Sequence, residues 1–127
     1  MSQDVVLAAA VRTPIGRFGG GLRSVSAVEL GIVAAKASLL RAALAPDAVD
    51  QTIFGHARQA GCGPNRARQV SVRAGIPVDK PAYGINQACL SGMQAVLAAA
   101  RSIRLGEAEV VLAGGMESMS RVPYLVD

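Results

Sequence analysis

Short apolar runs alternate along this chain with longer segments whose apolar residues recur every three or four positions, and no other feature restricts the fold as much. The first run, "VVLAAAV" from Val5 to Val11, is apolar on every side chain, as a strand covered on both faces would be, and Pro14 and the glycines of "RTPIGRFGGGL" break it. A helix is predicted next, with Val28, Leu30, Val33, Ala34, Ala37, Leu40 and Leu44 at helical spacing after the candidate caps Ser24 and Ser26, and with Pro46 beyond its end. A second strand is predicted over Gln51 to Gly55, and a short helix in "NRARQVSVRAG" ending at Gly75. "AYGINQAC" predicts a third strand running up to Cys89, and Ser91 to Leu105 a helix with Met93, Val96, Leu97, Ala100 and Ile103 on one face. A last buried strand, Val110 to Ala113, opens into a Gly-Gly loop. Strand and helix in alternation argue an α/β fold, a mostly parallel sheet with helices packed on it. The tail "SRVPYLVD" supplies no closing helix, so the expectation is part of a larger unit, because a parallel sheet needs both faces covered.

Composition narrows the function classes. Apolar residues make up 51% of the 127 and charged residues 17%, a balance suited to a packed core. With two Phe, two Tyr and no Trp, that core must be layered from small aliphatic side chains. The formal charge of +4 is spread along the sequence, and neither a basic stripe nor interleaved aromatic residues is present, so no nucleic-acid partner is expected. Cys62 and Cys89 lie far apart without a CxxC, which predicts reduced thiols rather than a disulfide. The opening "MSQDVVLAAAVRTP" is too short to span a bilayer before Arg12 interrupts it. A soluble cytoplasmic protein without a membrane partner is the expectation.

Cys89 is the residue most in need of a reason. It falls between a predicted strand and a predicted helix, where open α/β sheets place their chemistry. A thiol at a helix's first turn faces the positive end of the macrodipole and unpaired N–H groups, which favour thiolate. Gly84, Ala88, Ser91 and Gly92 are small enough to let a carbonyl approach and backbone N–H groups point at a developing oxyanion. Against that nucleophile reading stands a plainer one, a small buried core residue, which is what free cysteines commonly are.

"AAVRTPIGRFGGGL", "IFGHARQAGCGPNRARQ", "NQACLSGMQAV" and "VVLAGGMESMSRVPYL", in this order over essentially the whole chain, resemble the N-terminal part of a thiolase of the acetyl-CoA acetyltransferase type. The resemblance implies a thiolase-like fold, with residues 1–127 an incomplete N-terminal domain and the C-terminal domain absent. It also implies acyl transfer between CoA thioesters, by Claisen condensation or thiolysis, with Cys89 as the nucleophile that carries the acyl group as a thioester and whose N–H helps form an oxyanion hole. Coenzyme A and acetyl-CoA or another acyl-CoA would be substrates; no permanently bound cofactor and no metal are expected. The family draws its activating His and second catalytic Cys from later segments, so the chain alone is expected to be inactive. It would work as a homo-oligomer, dimer or tetramer, or paired with a complementary chain. A catalytically silent, structural or CoA-binding subunit and a ketoacyl synthase are the alternatives; "GGMESMS" and "RTPIG" favour thiolase.

The sole histidine, His56, matches no catalytic position of that family and reads as structural or interfacial, Cys62 as a loop residue, and "GRFGGG" as a turn, since no GxGxxG or GxxxxGK[ST] frame is present. Glu117 needs a partner if buried, and the sequence names none. The chain departs from the family at Pro64 and Arg66 in "GPNRAR", in a loop that usually helps form the dimer interface, and at Leu90, where a smaller residue is usual and a narrower acyl pocket follows.

Overall fold

In the computed structural model, which describes residues 4–127, three parallel strands form one sheet with helices on both faces. The order along the chain is α1 (Ala27–Ala42), β1 (Gln51–Gly55), α2 (Arg66–Arg73), β2 (Ala82–Ile85), α3 (Ser91–Arg104) and β3 (Val111–Gly115), with short 3-10 turns at Pro46–Ala48 and Met119–Arg121. β1 is central, in the order β2-β1-β3; Gly55 at its end stands opposite both Ile85 and Gly115, so the C-terminal ends of all three strands lie level.

Side chains alternate across a strand, so β1 feeds two cores. Phe54 joins Leu112 and Met116 beneath α1 and α2, with Val28, Ile32, Leu39, Val70 and Ile76. Ile53, fully buried, faces the other way with Ala95 and Ala99 of α3. Asp50 fastens the strand starts: its carboxylate accepts N–H bonds from Glu109 and Val110 (2.9 and 3.0 Å) and lies 3.2 Å from Lys80 Nζ. The N–H groups of Val110 and Glu109, more than the nearby ammonium, hold its pKa below the usual carboxylate value.

Helix α1 starts at a capping box. Ser26, not Ser24, is the cap: its Oγ accepts the Glu29 N–H at 3.2 Å, while the Glu29 carboxylate accepts the Ser26 N–H at 3.1 Å.

The expected strand at Val5–Val11 is not one. The segment pairs with no strand, Ala9 takes a left-handed φ of +52°, and Val6 and Leu7 are each 82% exposed. Ser38 Oγ and the Arg41 guanidinium donate to the carbonyls of Ala9 and Ala10, holding the run against α1. With α1 and β3 it lines a cavity of about 310 Å³, and no ladder joins it to β3. An apolar run calls for burial; it does not by itself choose a hydrogen-bonding neighbour.

Two helix faces also differ from expectation. In α3 the buried stripe is Ser91, Ala95, Ala99 and Ser102, and Met93, predicted inside, is 64% exposed. In α1 the buried set is Ala27, Val28, Gly31, Ile32, Ala35 and Leu39, with Leu40 at 84% exposure. Close packing favours small residues on the inner face: a Cβ at Gly31 would come within 2.9 Å of Met116 Sδ and 3.0 Å of Val70 Cγ2 on α2.

Candidate active site

The third strand stops at Ile85, earlier than the sequence suggests, and Asn86 to Leu90 form a tight turn instead. Ala88 is left-handed at φ +50°, a conformation costing a non-glycine residue about 1–2 kcal/mol. Three side-chain bonds hold the turn. Asn86 Oδ1 accepts the Ala88 N–H at 3.0 Å, and Ser91 Oγ accepts the Gln87 N–H at 2.9 Å while donating to the Ala88 carbonyl at 2.6 Å. Cys89 therefore precedes the N-cap Leu90 by one residue, just ahead of the first helical turn where the sequence had suggested it would lie.

The thiol is free and exposed, which removes the core-residue reading. It lines an open groove of about 850 Å³ over the C-terminal ends of β1 and β3, with Gly55, Asn86, Gly92, Gly115 and Glu117 among its walls. Two of these glycines bring this about. A Cβ on Gly55 would lie 2.2 Å from the backbone carbon of Ser91, and one on Gly115 3.0 Å from the Gly92 Cα, so α3 rests its first turn directly on the strand ends. Of the small residues expected to make room for a substrate, Ala88 and Gly92 line the groove, Ser91 is buried as a brace, and Gly84 lies within β2.

Glu117 reaches the groove from the segment after β3. Its carboxylate accepts the N–H groups of Ala57 (3.1 Å) and Arg58 (3.2 Å), and its Oε1 lies 3.1 Å from His56 Nε2. The approach to His56 is close yet misaligned for a ring N–H bond, and among the described residues Nδ1 has no hydrogen-bond partner. His56 is only 2% exposed. Burial pushes its pKa below the usual imidazole value, against the pull of Glu117 and with a further push from Arg66. The ring is enclosed and lies outside the lining of the Cys89 groove, and Glu117 has the partner the sequence left unnamed.

Cys62 is half-buried with its thiol 3.6 Å from the Ala60 carbonyl and does not line the Cys89 groove. The "GRFGGG" stretch forms turns, tied by the Gly20 N–H to the Arg17 carbonyl and by the Gly19 N–H to Ser120 Oγ at 2.9 Å. Sequence reasoning did not single out Asn86, although an Asn two residues before the N–H it accepts is a recognisable turn signal.

The family profile described as "Thiolase, N-terminal domain" matches residues 5–127. The chain belongs to the thiolase family. Among curated thiolase-family relatives, it is 47% identical over 123 residues to the acetyl-CoA acetyltransferase of Cupriavidus necator, covering 97% of this chain and 31% of that one. It is 48% identical over 124 residues to the cytosolic acetyl-CoA acetyltransferase of Mus musculus, covering 98% and 31%. The crystal structure of the Ascaris suum Acat5 thiolase in complex with coenzyme A superposes with a TM-score of 0.91 at 43% identity, covering 92% of this chain and 31% of that one. The thiolase-like α/β fold expected from the sequence is the fold observed, and the chain spans about a third of the length of the relatives it matches.

Proposed function

We propose that this chain supplies the acyl-accepting nucleophile of an acetyl-CoA C-acyltransferase, and that the nucleophile is Cys89. The observation that carries the reading is an exposed thiol on a large groove at the C-terminal end of a parallel sheet, in a chain of the thiolase family. Cys89 Sγ attacks the carbonyl carbon of an acyl-CoA. A new carbon–sulfur bond forms, the bond to the CoA sulfur breaks, and CoA leaves as the free thiol with the proton that Cys89 gave up. The acyl carbon remains a thioester and stays electrophilic, so one difficult exchange becomes two easier ones. In the synthetic direction the enolate of a second acetyl-CoA takes the acyl group; thiolysis runs the steps in reverse. The Cys89 N–H, at the head of α3, serves the oxyanion.

The base for these steps is not His56, which is enclosed against Glu117. A base supplied from outside residues 1–127, by more of the same protein or by a complementary chain, would complete the cycle. Coenzyme A and acyl-CoA act as substrates, with no resident cofactor. A cytosolic setting accords with the name of the mouse relative, though other relatives of the same activity are named mitochondrial.

Incubation with acetyl-CoA followed by intact-mass measurement tests the reading. One acetyl group per chain, absent from Cys89→Ala, is the expected result. No adduct, or an adduct retained in Cys89→Ala, would instead mark a silent subunit.

A further inference from the structure

The backbone of Ala57, in the loop after β1, is held at both its N–H and its carbonyl. Its N–H donates to Glu117 Oε2 at 3.1 Å, and its carbonyl accepts from Asn86 Nδ2 at 3.0 Å. The other end of the Asn86 amide accepts the Ala88 N–H at 3.0 Å. Chemistry fixes that amide's orientation, because turning it over would set its oxygen against a carbonyl and its NH2 against an N–H. One side chain thus connects the β1 loop to the strained residue next to the thiol.

We propose that Asn86 is a positioning residue for Cys89, fixing the left-handed Ala88 turn against the Glu117-clamped loop so that the thiol stands at one place over the groove. The inference rests on reading Cys89 as the nucleophile. Ala88 has no intrinsic preference for its conformation, so the turn needs an outside hold. Ser91 Oγ grips it from the helix side, and among the described residues Asn86 is the side chain that ties it across to the strand loop. Asn86 is exposed, so its removal leaves no side chain buried without a partner and the fold survives. What changes is the aim of the sulfur, and an error of about 1 Å there is worth roughly a hundredfold in rate.

The full chain, Asn86→Ala and Asn86→Asp are compared by unfolding midpoint, by iodoacetamide alkylation of Cys89, and by acetylation rate across acetyl-CoA concentrations. Asn86→Ala is expected to lower the maximal acetylation rate by about tenfold to a hundredfold while alkylation by the small, orientation-tolerant reagent changes less than about threefold. Asn86→Asp keeps the acceptor for Ala88 and loses the donor to Ala57, so its rate falls between the two. Wild-type acetylation in folded Asn86→Ala overturns the inference, and so does a rate loss that merely follows the unfolded fraction. Should Asn86→Ala not fold, wild-type acetylation by Asn86→Asp overturns it and a reduced rate supports it. A wild-type chain that is alkylated but never acetylated sinks the nucleophile reading and this inference with it, whereas equal acetylation of wild type and variant sinks the inference alone.

Discussion

Replacing Gly55 by alanine places a methyl group where the structure has only backbone to receive it. The new Cβ would lie 2.2 Å from the carbonyl carbon of Ser91, 2.4 Å from its oxygen and 2.5 Å from the Gly92 nitrogen. None of these atoms can rotate away. Normal carbon–carbon contact begins near 3.5 Å, so the head of α3 must retreat by about 1.3 Å. Overpacking of this kind costs about 1–3 kcal/mol, and with a rigid backbone on the receiving side the upper end applies. For a chain of this size that lowers the midpoint of thermal unfolding by roughly 10 °C. The same retreat carries Cys89 off its place, and acetylation should fall by about a hundredfold. Gly92, on the helix side of the same contact, provides the control. Its Cβ would meet nothing nearer than the Gly115 Cα at 3.5 Å, and alanine gains up to about 1 kcal/mol of helix propensity. Circular-dichroism melts of both variants separate the signs: Gly55→Ala strongly destabilised, Gly92→Ala neutral or stabilised. A Gly55→Ala protein that melts like wild type and is acetylated at the wild-type rate would refute the close-approach argument.

Two further outcomes follow from the geometry. Ser26→Ala removes the cap and half of the capping box at α1, and should cost about 1 kcal/mol by denaturant unfolding without changing the iodoacetamide reactivity of Cys89. His56 is held below its usual pKa by burial, so the unfolded chain binds the proton more readily; stability from this residue is complete above about pH 6.5 and is lost as pH falls through the folded pKa. Unfolding free energies measured on both sides of about pH 6.5 should therefore decline toward acid for wild type and decline less for His56→Gln.

The elements legible in the sequence were those whose signal is local. Ser26 and Glu29 announce the start of α1, and the short β-rich runs around Ile53 and Val111 sit where β1 and β3 form. Legibility ended where a choice depended on a neighbour far along the chain. Val5–Val11 carried the composition of a covered strand without the information that no ladder would form with it. Both α1 and α3 are apolar over so much of their surface that periodicity selected Leu40 and Met93, whereas close packing selected Gly31 and Ala95. At the site, Cys89 was visible because a lone thiol at a strand-to-helix connection is conspicuous. The left-handed state of Ala88 was not, since alanine carries no mark for it. Nor was the meeting of His56 with Glu117, which the pairing of β1 with β3 brings about.

Peptide mapping after brief exposure to acetyl-CoA tests the central claim most directly, because the chain holds an internal control in its second free thiol. Acetyl groups on Cys89 with Cys62 left unmodified is the predicted result. Equal labelling of the two cysteines, or labelling of Cys62 first, would contradict the assignment of the groove beside Cys89 as the place where acyl transfer occurs.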